Sequence, residues 1–173
     1  MRAKLDKSSL ENLLQRVESG ELPVEQALVA LKDLPFEDVG CARLDHHRAL
    51  RQGFPEVIFC LGKTPEQTAA IFQRLADVNE RVLATRATEA HYQAIAAANP
   101  EAEWHPQARI VRKFTPYSEA QNNSFVAIMT AGTADIPVAE EAALTLETLG
   151  DSVERFFDVG VAGLHRLLAV RSA

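Results

Sequence analysis

Residues 124–168 read SFVAIMTAGTADIPVAEEAALTLETLGDSVERFFDVGVAGLHRLL, and this stretch decides the fold. The run 125–129 is short, apolar and partly β-branched, which predicts a strand buried on both faces of a parallel sheet. Small residues follow at 130–135, where a backbone can pass close to a ligand. Asp135 is placed to N-cap a helix, Pro137 falls in its first turn, and Glu140 and Glu141 add negative charge near the positive end of the helix dipole. Val138, Ala142, Thr145, Leu146 and Leu149 recur at helical spacing and form the expected core-facing stripe, which stops at Gly150, a C-terminal cap. Residues 153–159 read as a second strand. A parallel return after a helix makes a right-handed βαβ crossover.

In open α/β sheets ligands bind in the crevice at the carboxyl ends of the strands, so residues 132–135 and 158–165 are expected to approach one another. Gly132 and Thr133 would offer backbone N–H groups and a hydroxyl to an anion near the helix N-terminus. His165 would move protons near neutral pH. The plainer reading makes the turn a helix cap and the histidine a surface residue. Spacing alone leaves both open.

Upstream, the periodicity predicts a helical hairpin. Ser9 caps a helix over 10–18, Gly20 stops it, and Pro23 opens a second helix over 24–33. Leu10, Leu13, Leu14 and Val17 form one apolar face, and Val24, Ala27, Leu28 and Leu31 the facing one. Pro35 and Gly40 punctuate a turn, after which 42–50 is open between strand and loop. A strand over 56–61, a helix from Thr64 to about Val78, a strand over 81–85, a helix over 88–98 and a strand over 108–114 then predict a small α/β domain ending near Asn122. PYSEAQNNS reads as a linker. The expected organisation is a helical and α/β domain over 1–122, followed by 123–173 as the first βαβ part of a second domain.

A second candidate site is the cationic group Arg43, His46, His47, Arg48 and Arg51, with Asp45 among them. Guanidinium forks there suit a pyrophosphate, and Gly53 lets the chain turn closely. An ion-paired surface fits the same residues. His46 and His47 point to opposite faces of an extended segment, which disfavours one shared metal ion. Cys41 and Cys60 lack a CxxC spacing and read as reduced, buried thiols. Trp104 is expected to pack, while His91 and His105, in helical and loop contexts, suggest no site.

The formal net charge is −6, and 47% of residues are hydrophobic, which describes a globular chain and argues against nonspecific nucleic-acid binding. No apolar run reaches the length of a membrane span, and MRAKLDKSSLENLL carries no apolar signal core, so the cytoplasm is the expected compartment.

TAGTADIPVAEEAALTLETLG followed by VERFFDVGVAGLHRLL resembles the carboxylase-like domain of pyridinium-3,5-biscarboxylic acid mononucleotide synthases, the family that opens nickel-pincer cofactor synthesis for lactate racemase. That domain is similar to the mutase class of aminoimidazole ribonucleotide (AIR) carboxylases. The run DHHRALRQGFPEVIFCLGKTPEQTAAI resembles the synthases and has no counterpart in the purine enzymes.

The resemblance implies a flavodoxin-like, AIR-carboxylase-type α/β domain over 123–173. It also implies an enzyme that carboxylates the pyridinium ring of nicotinic acid adenine dinucleotide, hydrolyses its phosphoanhydride and releases AMP. Carbon dioxide or bicarbonate would be co-substrate, Mg2+ the cofactor, and a homo-oligomer the working assembly. By the resemblance Thr133 and Asp135 would line the nucleotide and ribose, with Asp135 and His165 catalytic and His165 handling protons; Gly132, Arg48 and Arg51, read from their own chemistry, complete the expected ligand-holding residues.

Ala134 departs from the serine usual in such motifs. The family domain needs roughly five strands and more than a hundred residues, whereas about fifty follow Ser124. A Gly-rich loop and a nucleophilic cysteine expected later find no place, so the chain reads as truncated. A purine carboxylase and a catalytically incomplete nucleotide-binding or assembly fragment are the competing readings.

Overall fold

A computed structural model of the chain describes residues 7–31, 36–46, 48–116 and 124–170, and the side chains of Lys7, Leu50, Arg51 and Val170 lie outside that set. It opens with α1 (Lys7–Glu18) and α2 (Val24–Leu31), which meet as the expected hairpin. Ser9 lies inside α1 rather than capping it. Leu13 and Ala27 are buried, but Leu14, Val24 and Leu28 are more than half exposed, so the paired faces are narrower than the apolar stripes. The expected end of the second helix at Asp33 and the turn at Pro35 lie outside the described residues.

Strands β1 (Phe36–Asp38) and β2 (Arg43–Asp45) form an antiparallel hairpin, and α3 (Arg48–Gln52) follows. The segment left open between strand and loop is thus part strand and part helix. Next come β3 (Val57–Phe59), α4 (Pro65–Ala76) and β4 (Val82–Thr85), with β3 and β4 parallel as predicted. A capping box starts α4: the Gln67 amide donates to Thr64 Oγ1 at 3.3 Å and the Thr64 amide donates to Gln67 Oε1 at 3.0 Å. Helix α5 (Glu89–Ala98) packs along α4.

The sequence reading misses β5 (Glu103–His105), which places His105 in a strand rather than a loop. Three residues, two of them polar, carry too little periodicity to register. β5 pairs with β6 (Ile110–Lys113), which inserts antiparallel beside β4, giving the order β3-β4-β6-β5. Alternation along these strands divides the core between the two sheet faces. Val82, Ala84 and Val111 join Phe72 and Leu75 of α4 and Ile95 of α5 on one face. Trp104 packs there too, its ring stacked on Tyr92 at 5.8 Å between centroids. Leu83, Ala108 and Ile110 form a second cluster on the other face.

The C-terminal stretch comprises β7 (Val126–Met129), a 3-10 turn (Thr133–Asp135), α6 (Ile136–Leu149), β8 (Val153–Phe156), a second 3-10 turn (Val161–Gly163) and α7 (Leu164–Val170). β7 and β8 are parallel, in register from Val126 opposite Val153 to Met129 opposite Phe156, so the βαβ crossover holds and the fold is mixed α/β. The second strand ends at Phe156, short of Val159. Gly150, at φ 114°, closes α6: Leu146 O accepts from the amides of both Gly150 (2.9 Å) and Asp151 (3.0 Å).

Two expectations about burial are corrected. β7 is not buried on both faces, since Phe125, Val126 and Met129 are 51%, 40% and 54% exposed. Its two-stranded sheet has only β8 as a hydrogen-bonded neighbour among the described residues. The buried face of α6 is Ala139, Ala143, Leu144 and Thr148, whereas Val138 and Ala142 face solvent. Alanine lets the helix approach closely, and Leu144 reaches past it to join Leu83, Ala108 and Ile110. No helix among the described residues is long and apolar enough to cross a membrane.

Candidate functional site

The ends of β7 and β8 come together as the topology demands. Thr130 is buried and holds three contacts: its amide donates to Phe156 O (3.0 Å), its carbonyl accepts from Val159 N–H (2.9 Å), and its hydroxyl accepts from Asp158 N–H (3.0 Å). Gly160 N–H donates to Ala131 O at 3.2 Å. A Cβ on Gly160 would lie 2.5 Å from that oxygen, so the approach requires glycine. Asp158 takes a left-handed conformation, φ 57°, and its carboxylate pairs with Arg166.

The turn over 132–135 is exposed or partly exposed. Asp135 does not cap α6 with its side chain; its Oδ2 reaches back and accepts from Gly132 N–H at 3.3 Å. An anion bound to that amide would have to displace a carboxylate, so the turn suits a ligand hydroxyl at Asp135 better than a phosphate at Gly132. His165 is exposed on α7, and no hydrogen bond or ion pair among the described residues orients it.

The cationic group upstream is largely ion-paired where it is described. Arg43 lies 3.6 Å from Asp38, and His46, buried, has Nε2 at 3.1 Å from Glu37 Oε2, while Glu37 Oε1 pairs with Arg74. The Glu37 carboxylate holds the Arg74 guanidinium above its ordinary range. Arg48 stacks over the Phe54 ring at 5.4 Å with a buried Nε that finds no acceptor among the described residues. His47 and the Arg51 side chain lie outside the described residues. A cavity of about 220 Å³ beside α3 is lined by Ala49, Phe54, Thr148 and Leu149, which puts this group at the C-terminal end of α6. Gly132, Thr133 and Asp135 sit at its N-terminal end, fourteen residues away, about 20 Å at 1.5 Å per residue. Arg48 and the turn are therefore not brought together.

Two residues were missed or misjudged by sequence. His91 is buried: its Nδ1 accepts from the Thr88 amide at 3.0 Å, so Nε2 carries the proton donated to Lys63 O at 3.0 Å. It clips the start of α5 to the loop after β3, and the T-x-x-H spacing of a capping box was the available signal. His91→Ala leaves the Thr88 amide and the Lys63 carbonyl without this partner and is expected to cost about 1–2 kcal/mol, read as a lowered denaturation midpoint. Arg86 pairs with Glu141 of α6 at 3.1 Å, a contact no local pattern announces.

Cys60 is fully buried as expected, and desolvation pushes its thiol up to about 11, so it stays protonated at neutral pH. Cys41 is exposed, against expectation, on the β1–β2 turn. Native protein at pH 8 is expected to take one maleimide label, at Cys41, and denatured protein two, counted by mass spectrometry. Labelling of Cys60 in the folded chain would contradict this placement.

Among the described residues no group of three or more His, Cys, Asp or Glu gathers as a metal site. Mg2+ commonly binds through one or two carboxylates together with substrate phosphates. The described residues thus offer no protein cage for the ion.

Residues 36–115 match the family model described as LarB/PurE-like N-terminal domain. The chain is also similar to Uncharacterized protein MJ0165 of Methanocaldococcus jannaschii, 30% identical over 165 residues. That alignment covers 92% of this chain and 64% of the relative.

Proposed function

We propose that a chain carrying this LarB/PurE-like segment serves nickel-pincer cofactor synthesis, in the carboxylation of the pyridinium ring of nicotinic acid adenine dinucleotide. Water cleaves the phosphoanhydride, AMP leaves, and the ring gains a carboxylate from carbon dioxide or bicarbonate. The match over residues 36–115 carries this reading, supported by the parallel βαβ unit whose strand ends close on Thr130 and Gly160. In it Thr133 and Asp135 line the nucleotide, with the Asp135 carboxylate accepting from a ribose hydroxyl. His165, exposed and unengaged, handles the proton. Mg2+ enters with the substrate phosphates.

Protein carrying His165→Ala is expected to release AMP about 10²-fold more slowly, and Asp135→Asn to raise KM more than it lowers kcat. Unchanged turnover in both would remove these residues from the mechanism.

The exposed apolar strand β7 favours an additional role in assembly. Phe125, Val126 and Met129 present an open patch that a second copy would cover. Light scattering is expected to give a multiple of the 19.0 kDa chain mass. A monomer at working concentration contradicts the assembly.

A further inference from the structure

The loops at the carboxyl edge of the four-stranded sheet gather Lys63, Arg86 and Arg109. Lys63 follows β3, Arg86 follows β4, and Arg109 precedes β6, so three neighbouring strands each deliver one cation to one edge. The chain is acidic overall, and most of its described arginines and lysines pair with a carboxylate. Lys63 and Arg109 have no such partner among the described residues.

They are nonetheless held in place by neutral backbone. Lys63 Nζ donates to Phe59 O at 2.7 Å, and the Lys63 carbonyl is fixed by His91. Arg109 Nε donates to Ala87 O at 3.2 Å and its terminal nitrogen to Arg86 O at 3.3 Å. The Ala87 amide answers by donating to Arg109 O at 2.8 Å. Arg86 and Arg109 both occupy the left-handed region, φ 56° and 54°, which a non-glycine residue adopts at a cost. Carbonyl contacts order these side chains without cancelling their charge, so Lys63 and Arg109 stay cationic on loops at one sheet edge with side-chain entropy already spent. An isolated surface cation would be solvated and mobile instead.

Arg86 reaches Glu141, about one and a half turns into α6, so the edge opens toward the end of α6 that carries the 132–135 turn. Beside Lys63, Gly62 leaves open space, and Phe59 and Leu61 are exposed to 51% and 64%.

We propose that this edge is an anion-binding site for a phosphate-bearing small molecule, with Lys63 and Arg109 as its principal cations and Arg86 shared with Glu141. The site stands apart from the carboxylation proposed above: phosphate binding here would survive the failure of that reaction, and the reaction does not require it.

The test is titration of the full chain with inorganic pyrophosphate at physiological salt, followed by amide chemical shifts. Saturable shifts centred on Gly62, Lys63, Ala87 and Arg109 are expected. No saturable response, or a response centred on Gly132 or on Arg43 and Arg48, overturns the proposal. Lys63→Gln with Arg109→Gln is expected to weaken binding by about tenfold or more, while Arg16→Gln on α1 leaves it within about twofold. Equal affinity in the double variant, with an unchanged melting profile, overturns the assignment as well. If Arg109→Gln alters the fold, Lys63→Gln alone and the wild-type shift map decide it.

Discussion

Leu144→Ala is expected to lower stability by about 2–5 kcal/mol and to loosen α6 from the four-stranded sheet. Leu144 is 4% exposed and packs with Leu83, Ala108 and Ile110. The other buried residues of α6 are Ala139, Ala143 and Thr148, so no second large side chain on that face is positioned to fill the void. Polar contacts flank this plug. Glu147 accepts from Arg155 of β8 at 2.6 Å and from Arg112 of β6 at 3.4 Å, and Arg112 also donates to Glu103 at 2.8 Å. The Glu147 carboxylate holds the Arg155 guanidinium above its ordinary range, a sign of a close pair.

Such pairs fix register but add less than the buried leucine. Denaturation followed by Trp104 fluorescence and by far-UV circular dichroism is expected to coincide in the wild type and to separate in the variant. Trp104 reports on the four-stranded sheet, and far-UV dichroism also sees α6 and α7. Coincident curves with a loss below about 1 kcal/mol would show that α6 does not depend on this contact.

Gly160→Val is expected to cost about 3 kcal/mol and, under the proposed carboxylation, to eliminate AMP release. The obstacle is the Ala131 carbonyl oxygen, 2.5 Å from the position of the new Cβ. A backbone oxygen at a strand end cannot rotate away as a side chain can. Ala131 and Gly160 must separate, which breaks their 3.2 Å hydrogen bond and strains the neighbouring pair of Val159 with Thr130. The turn over 132–135 then moves relative to Asp158 and His165. Residues 36–115 build their own core around Phe72 and are expected to keep their fold, visible as native-like Trp104 emission. Wild-type activity in Gly160→Val would mean that the closed strand ends are not the site.

These effects also show what the sequence could and could not reveal. Boundaries governed by local chemistry were legible: Thr64 with Gln67 starts α4, Gly150 ends α6, and the two parallel strands follow from the helix between them. The buried face of α6 was not. A stripe drawn through Val138, Ala142 and Leu146 ranks residues by apolarity, whereas the packed face selects Ala139 and Ala143 for close approach, one position further on.

Non-local pairing escaped as well. β6 enters antiparallel between β4 and β5, and nothing in the 103–105 segment marks it as a strand.

The same contrast holds for the candidate site. The βαβ topology predicts that residues 132–135 approach 158–165, and the contacts formed lie just before that turn, from Thr130 and Ala131 to residues 158–160. That Asp135 turns back onto Gly132, and that Arg86 meets Glu141, depends on side-chain placement after folding. Arg48 was grouped with the turn by chemistry, yet α6 keeps them at opposite ends. The histidine that sequence dismissed, His91, proves to be a structural clip, and His165, singled out for proton transfer, has no partner among the described residues to orient it.

The most direct measurement incubates the protein with nicotinic acid adenine dinucleotide, Mg2+ and labelled bicarbonate, and follows AMP and label incorporation by mass spectrometry. AMP together with a labelled, carboxylated mononucleotide is the predicted result. Folded protein that yields neither product would contradict the carboxylation reading.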